Sequence, residues 1–166
     1  MTDVPGAAAG PPLNRMLASV LSLIGFFVAL YLWAHNSGLT GPIVCGVGDC
    51  ATVQSSPYAR IGGVPVSAIG VAGYTALFAL SMLGLQPGRR ESKAIAALLL
   101  TGAFFGVAFS AYLTYLEAAV IRAWCQYCVA SAVIITLVFF TTLPEIGRLR
   151  SSPRGSPGSS PEAGVA

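Results

Sequence analysis

The sequence predicts an all-α integral-membrane protein, a bundle of four transmembrane helices with a short half-helix in the first extracytoplasmic loop. Composition is the first observation behind this reading: of 166 residues 55% are hydrophobic and only 9% charged, and mean hydropathy is +0.75, a balance foreign to soluble domains. The second is that the apolar residues fall into four runs, 13–34, 64–85, 94–116 and 124–143, each near the ~20 residues that cross a hydrocarbon core as a helix, and Arg15 is the only Asp, Glu, Lys or Arg inside any of them. The third is the placement of basic residues. Arg15, Arg89, Arg90, Lys93, Arg148, Arg150 and Arg154 lie on one side of the runs and only Arg60 and Arg122 on the other. Since Lys and Arg near membrane ends stay inside, both termini are expected in the cytoplasm. The net charge of +3 is then explained by topology and needs no nucleic acid.

Taken in order, residues 1–12 (MTDVPGAAAGPP) are too rich in Pro, Gly and Ala to bury a core and are expected to be disordered. The first run is too long for a cleavable leader and lacks a clean small-x-small site, so it reads as a retained signal anchor. The loop 35–63 follows on the outer side. Loops of this length in compact domains are usually functional or disordered, and ATVQSSPYAR (51–60) within it reads as a short interfacial helix, Pro57 being acceptable only near a helix start. In the second run Ser67, Gly70 and Gly73 allow close approach of a neighbouring helix. QPGRRESK (86–93) makes a short cytoplasmic turn, and 117–123 a short outer segment between the third and fourth runs. Residues 144–166 form a cytoplasmic tail expected to be mostly disordered, which leaves 13–143 as the membrane domain. Localisation follows as a multi-pass protein of the cell's inner, cytoplasmic membrane.

All four cysteines, Cys45, Cys50, Cys125 and Cys128, fall in the outer loop or at the outer end of the fourth run. That is the oxidising side, where structural disulfides also persist. The spacings C-x4-C and C-x-x-C, however, would close very short loops, from which a staple gains little unfolded-state entropy. Redox exchange is favoured over stapling, and a four-thiolate metal site matches these spacings poorly. At i and i+3 in the first turns of a helix, Cys125 and Cys128 share a face close to unpaired N–H groups and the positive end of the helix dipole, which lower a thiol's pKa. A thiolate attacks disulfides or quinones. Cys125 is expected nearer water and Cys128 about one turn deeper. The pair Cys45 and Cys50, in CGVGDC, then reads as a shuttle, with Gly46 and Gly48 supplying mobility and a mixed disulfide such as Cys50–Cys125 as the exchange step. Other polar residues read more plainly: Ser55 and Ser56 as turn or cap residues, His35 as a solvated boundary residue, Asp49 and Glu117 as exposed charges of outer loops. Tyr31, Trp33, Trp124 and Tyr127 read as an interfacial aromatic belt.

The combination C45-x4-C50, Ser56, P65-x4-G70 and W124-C-x-x-C128 resembles the vitamin K epoxide reductase family, in particular its bacterial homologues, over about residues 13–143. The order matters, because another class of membrane thiol oxidase with similar chemistry carries its C-x-x-C in the first outer loop. The resemblance implies a four-helix bundle around a quinone, ubiquinone or menaquinone, with the half-helix as a lid over the pocket. It further implies that Cys128 reacts with the quinone, that Cys125 is its resolving partner, and that Cys50 and Cys45 accept electrons from a thioredoxin-like extracytoplasmic protein. Ser56 matches the family's serine near the active site. Two departures bear on substrate: the vertebrate enzymes have an Asn where this chain has Val66 and a Tyr where it has Ala132, both implicated there in holding substrate oxygens. The expected function is a membrane thiol-disulfide oxidoreductase that supports disulfide formation. The alternatives are a vitamin K quinone or epoxide reductase proper, and a non-enzymatic membrane protein with structural or metal-binding cysteines.

Overall fold

The computed structural model describes residues 13–150; the expected disorder of 1–12 and 151–166 lies outside them. Four helices are long and apolar enough to cross a membrane: α1 (Leu13–Asn36), α3 (Val66–Leu85), α4 (Lys93–Tyr115) and α5 (Gln126–Thr142). They lie within a few residues of the four apolar runs. Two six-residue helices complete the set, α2 (Cys50–Ser55) in the long loop and α6 (Glu145–Arg150) after α5.

Local chemistry fixes the ends. The Ser92 side chain accepts a hydrogen bond from the Ile95 N–H and so caps α4. Pro57 opens a single 3-10 turn (Pro57–Ala59) straight after α2, the position where a missing N–H costs least. Between this turn and α3 lies a feature that apolar periodicity does not suggest, a two-residue hairpin in which β1 (Arg60–Ile61) pairs antiparallel with β2 (Val64–Pro65) in the register Arg60↔Pro65 and Ile61↔Val64. Its turn needs positive φ at both central positions, and Gly62 and Gly63 supply +58° and +85°.

In the bundle α1 packs along α3 and α5, and α4 packs against the same two helices. Ala29, Tyr74, Leu77, Leu99, Ala103, Ile135 and Val138 form the buried core. Lipid offers no hydrophobic drive for helices to associate, so close approach at small residues matters more than in water. At Gly25 a β-carbon would collide with the Tyr74 ring, and at Gly106 it would crowd Ile135. The outer surface is apolar, with Phe27, Phe104, Phe105, Val133 and Phe140 all exposed.

At the end of the bundle remote from the cysteines, Arg15 is 1% and Glu145 0% exposed. Arg15 reaches the carboxylate with two hydrogen bonds, Nε to Oε1 at 2.9 Å and Nη2 to Oε2 at 2.7 Å, and its Nη1 donates to the Gly84 carbonyl at 2.7 Å. Asn14 adds a bond to Oε1 at 2.6 Å. One ion pair thereby joins α1, α3 and α6. Composition groups Glu145 with the C-terminal tail; its place in the bundle follows from Arg15, whose charge must find a partner at a dry boundary. Removing either partner strands the other charge. Arg15→Ala or Glu145→Ala is expected to destabilise the protein by about 3–5 kcal/mol, read as a lowered Tm in detergent, whereas the paired change Arg15→Met with Glu145→Leu should cost much less than either alone.

Candidate active site

The site is built where the long loop meets the start of α5. Asp49 caps α2, its carboxylate accepting from the Thr52 N–H at 3.0 Å and the Thr52 hydroxyl at 2.6 Å; these bonds hold the Asp49 carboxyl below its ordinary pKa. This fixes Cys50 as the first residue of α2. Cys45 and Cys50 are joined by a disulfide, while Cys125 and Cys128 are free thiols.

Loop and helix start are tied together by backbone. Gly48 and Cys125 form an isolated antiparallel bridge, and the Asp49 N–H donates to the Trp124 carbonyl at 2.8 Å. Gln126 Oε1 accepts from the backbone N–H groups of Gly46 and Val47, both at 3.0 Å. Gly48 sits at φ +87°, and a β-carbon there would run into the Trp124 carbonyl. The glycine is therefore needed for contact and not, in this state, for mobility. Tyr127 donates to the Val44 carbonyl at 2.7 Å, and Tyr31, whose ring lies 5.0 Å from that of Tyr127, accepts from the Val44 N–H at 3.4 Å. Two residues read from sequence as interfacial aromatics thus grip the loop.

This docking reverses one expectation. Cys125 is the N-cap residue of α5 and is fully buried, packed in one cluster with Cys50 and Val53 and bordered by Cys45 and Tyr127. It is not the water-facing member of its pair, because the loop folds over it. Cys128 lines a cavity of about 430 Å³ instead. The two cysteines of the C-x-x-C pair so differ in surroundings: Cys125 is buried in one cluster with Cys50, whereas Cys128, at the border of that cluster, also lines the cavity. The Cys125 thiol is pulled down to about 7, chiefly by a hydrogen bond from Cys128, with backbone N–H groups and Gln54 adding to it against the opposing effect of burial.

The cavity is walled mainly by apolar residues of α1, α3, α4 and α5, among them Leu77, Phe105, Phe109 and Ile135. Its polar groups are few, as in most small-molecule sites. Ser56 is among them, its hydroxyl donating to the Val53 carbonyl at 2.8 Å. Tyr74 donates to the Ser131 carbonyl at 2.9 Å with the Ser131 hydroxyl equally near. Volume and lining suit a small, mostly apolar molecule, and Cys128 stands in the wall.

A family model described as the Vitamin K epoxide reductase family matches residues 16–143. The chain belongs to that family. It is accordingly a multi-pass membrane oxidoreductase of thiol and disulfide chemistry.

Among the family-like cysteines stand residues that sequence reasoning missed or misplaced. Glu117, expected as an exposed loop charge, is 3% exposed. The reason is that the helix does not stop at the end of α4 but continues as a π-helical turn (Leu116–Ile121), which keeps Glu117 in the bundle, where its Oε2 accepts the Cys125 N–H at 3.1 Å. An acidic residue directly following a long apolar run was the available signal. Gln54 on α2 places its Nε2 3.6 Å from the Cys128 sulfur and 3.9 Å from that of Cys125. Asn36 holds it there, donating to Gln54 Oε1 at 2.8 Å and to Ser67 Oγ at 3.1 Å. His35, by contrast, remains at the boundary, 3.1 Å from the Gly41 carbonyl.

Two outcomes follow. Reduced C-x-x-C protein should show a thiolate absorbance step at about 7, and Cys128→Ala should move it upward, since the donor that stabilises the thiolate is lost. Gly48→Ala should loosen the loop from the start of α5, the left-handed backbone alone costing ~1–2 kcal/mol, and so raise the rate at which an alkylating reagent labels the buried Cys125 thiol about tenfold; mass spectrometry of the labelled protein measures it.

Proposed function

We propose that this protein carries electrons from an extracytoplasmic thioredoxin-like protein through Cys45 and Cys50, then Cys125 and Cys128, to a membrane quinone, ubiquinone or menaquinone, and thereby supports disulfide formation in exported proteins. In this reading the termini are cytoplasmic and the cysteines lie on the outer side of the cytoplasmic membrane, as the distribution of basic residues favours. The observation that carries it is the division of the C-x-x-C sulfurs, Cys125 against Cys50 and Cys128 in the cavity wall. A staple has no need of that division.

The steps balance as thiol–disulfide exchange. A partner thiolate attacks the Cys45–Cys50 disulfide; the partner's second thiol resolves the mixed disulfide and leaves the shuttle as two thiols. Cys50 then attacks Cys125 in the oxidised C-x-x-C pair, and Cys45 displaces Cys125, which regenerates the shuttle disulfide and leaves Cys125 and Cys128 reduced. Two electrons finally pass to the quinone through Cys128, and the two thiol protons of the C-x-x-C pair balance the hydroquinone. Ser56 lies in the wall of the same cavity, where its hydroxyl supports the substrate oxygen or the sulfur chemistry. Val66 also lines the cavity and, like Ala132, brings no polar group, which favours a plain quinone over an epoxide.

Purified protein is to be assayed in detergent with a reduced thioredoxin-like oxidase and a soluble quinone analogue. Both Cys50→Ala and Cys128→Ala should abolish protein-driven quinone reduction, and reduction by a small dithiol should survive in Cys50→Ala only. Failure of the wild type to reduce quinone with any dithiol would refute the proposal.

A further inference from the structure

Glu117 is the one carboxylate among the described residues of the cavity wall, and the relay above gives it no task. It is 3% exposed on the π-helical turn that prolongs α4; such turns often occur at functional positions. Its Oε2 takes the Cys125 N–H at 3.1 Å, and Glu117 and Cys128 line the same cavity. Among the described residues no cation pairs with it, and the buried pair of Arg15 with Glu145 lies at the other end of the bundle. Keeping a carboxyl in an apolar wall is costly. Capping a single N–H does not require it, because a neutral amide or a backbone carbonyl does the same. What an amide cannot do is exchange a proton with a thiol in the wall of the same cavity.

We propose that Glu117 is the general base and acid of the quinone half-reaction, taking the S–H proton of Cys128 and returning it to a quinone oxygen. The inference rests on the quinone reading. As the proton leaves, the Cys128 sulfur bonds to the quinone ring and the ring oxygen accepts the proton from Glu117. Cys125 then attacks the Cys128 sulfur, forming their disulfide and breaking the sulfur–ring bond, whose electron pair stays on the ring. The second proton, released from Cys125, reaches the other oxygen through solvent. Two thiols and a quinone become one disulfide and a hydroquinone, and Glu117 ends in the state in which it began. Gln54, which approaches both sulfurs, has no proton to trade and serves to orient them.

The test is Glu117→Gln, which keeps the size and the acceptor for the Cys125 N–H, assayed beside wild type and Cys128→Ala. Quinone reduction driven by a small dithiol should fall about 10²-fold or more, while single-turnover exchange between Cys50 and Cys125 keeps its wild-type rate. A purely structural role predicts that both steps slow together. Glu117→Gln reducing quinone at the wild-type rate, or slowing both steps alike, overturns the proposal, as does the absence of any solvent deuterium effect on single-turnover quinone reduction by the wild type, a reading that needs no variant to fold. If the wild type turns over, Cys128→Ala does not, and Glu117→Gln matches wild type, only the role of Glu117 falls. If the wild type reduces no quinone at all, the quinone reading falls and takes this one with it.

Discussion

The backbone contact between Gly48–Asp49 and Trp124–Cys125 is the constraint on which the site depends. A loop running from the end of α1 to the start of α3 is entropically free to sample many positions, and a disulfide between residues only five apart does little to restrict them. What restricts it is a patch of sheet-like pairing with the start of α5, reinforced by Gln126 and by the two tyrosines around Val44. Each bond adds about 1 kcal/mol net. Together they bury Cys125 and bring Cys50 into its cluster. Bonds of that size also break readily, which suits a loop proposed to exchange disulfides with a second protein.

The membrane sets the terms for the rest. With no water to satisfy stray polar groups, polar side chains within the bundle are expensive and mark function or architecture. Among the described residues, the buried charges and the amides bonded around them fall into two sets at opposite ends. Arg15, Glu145 and Asn14 lock α1 to α6 and reach α3 through the Gly84 carbonyl. Asn36, Gln54, Ser67 and Glu117 gather around the thiols. The first set is closed, each member spent on another. The second ends at two sulfurs whose chemistry changes with redox state, and it borders a cavity. A rigid end and a reactive end share the same four helices.

The spans were legible because apolar length is a direct physical requirement, and the cysteine spacings were legible because they are local. Loop docking was not. That Cys125 is the buried thiol depends on Gly48, 77 positions earlier in the chain, and no periodicity records it. Glu117 was misread for a different reason: hydropathy ends a helix at the first charge, whereas here the backbone continues through a π turn and breaks only at Arg122, at φ 57°. The Gly62–Gly63 pair carried a hairpin signal that the surrounding apolar run obscured. Gln54 was invisible as a site residue, since only the tertiary placement of α2 over α5 brings its amide to the sulfurs.

The pattern of bonded and free cysteines also orders the proposed chemistry. Cys45–Cys50 joined with Cys125 and Cys128 as free thiols is the arrangement that the proposed relay passes through after the loop has handed on its electrons and before a quinone takes them. In that state the thiol hydrogen of Cys128 points its stabilisation at Cys125 and holds down its pKa. An attacking thiol works best when its pKa lies near the ambient pH, where much of it is thiolate without great loss of nucleophilicity, so this bond readies Cys125 for exchange. The readied sulfur is the buried one, packed in a cluster with Cys50, while its donor lines the cavity. One hydrogen bond therefore sets the two cysteines of the pair to different tasks, the first to disulfide exchange and the second to whatever the cavity holds.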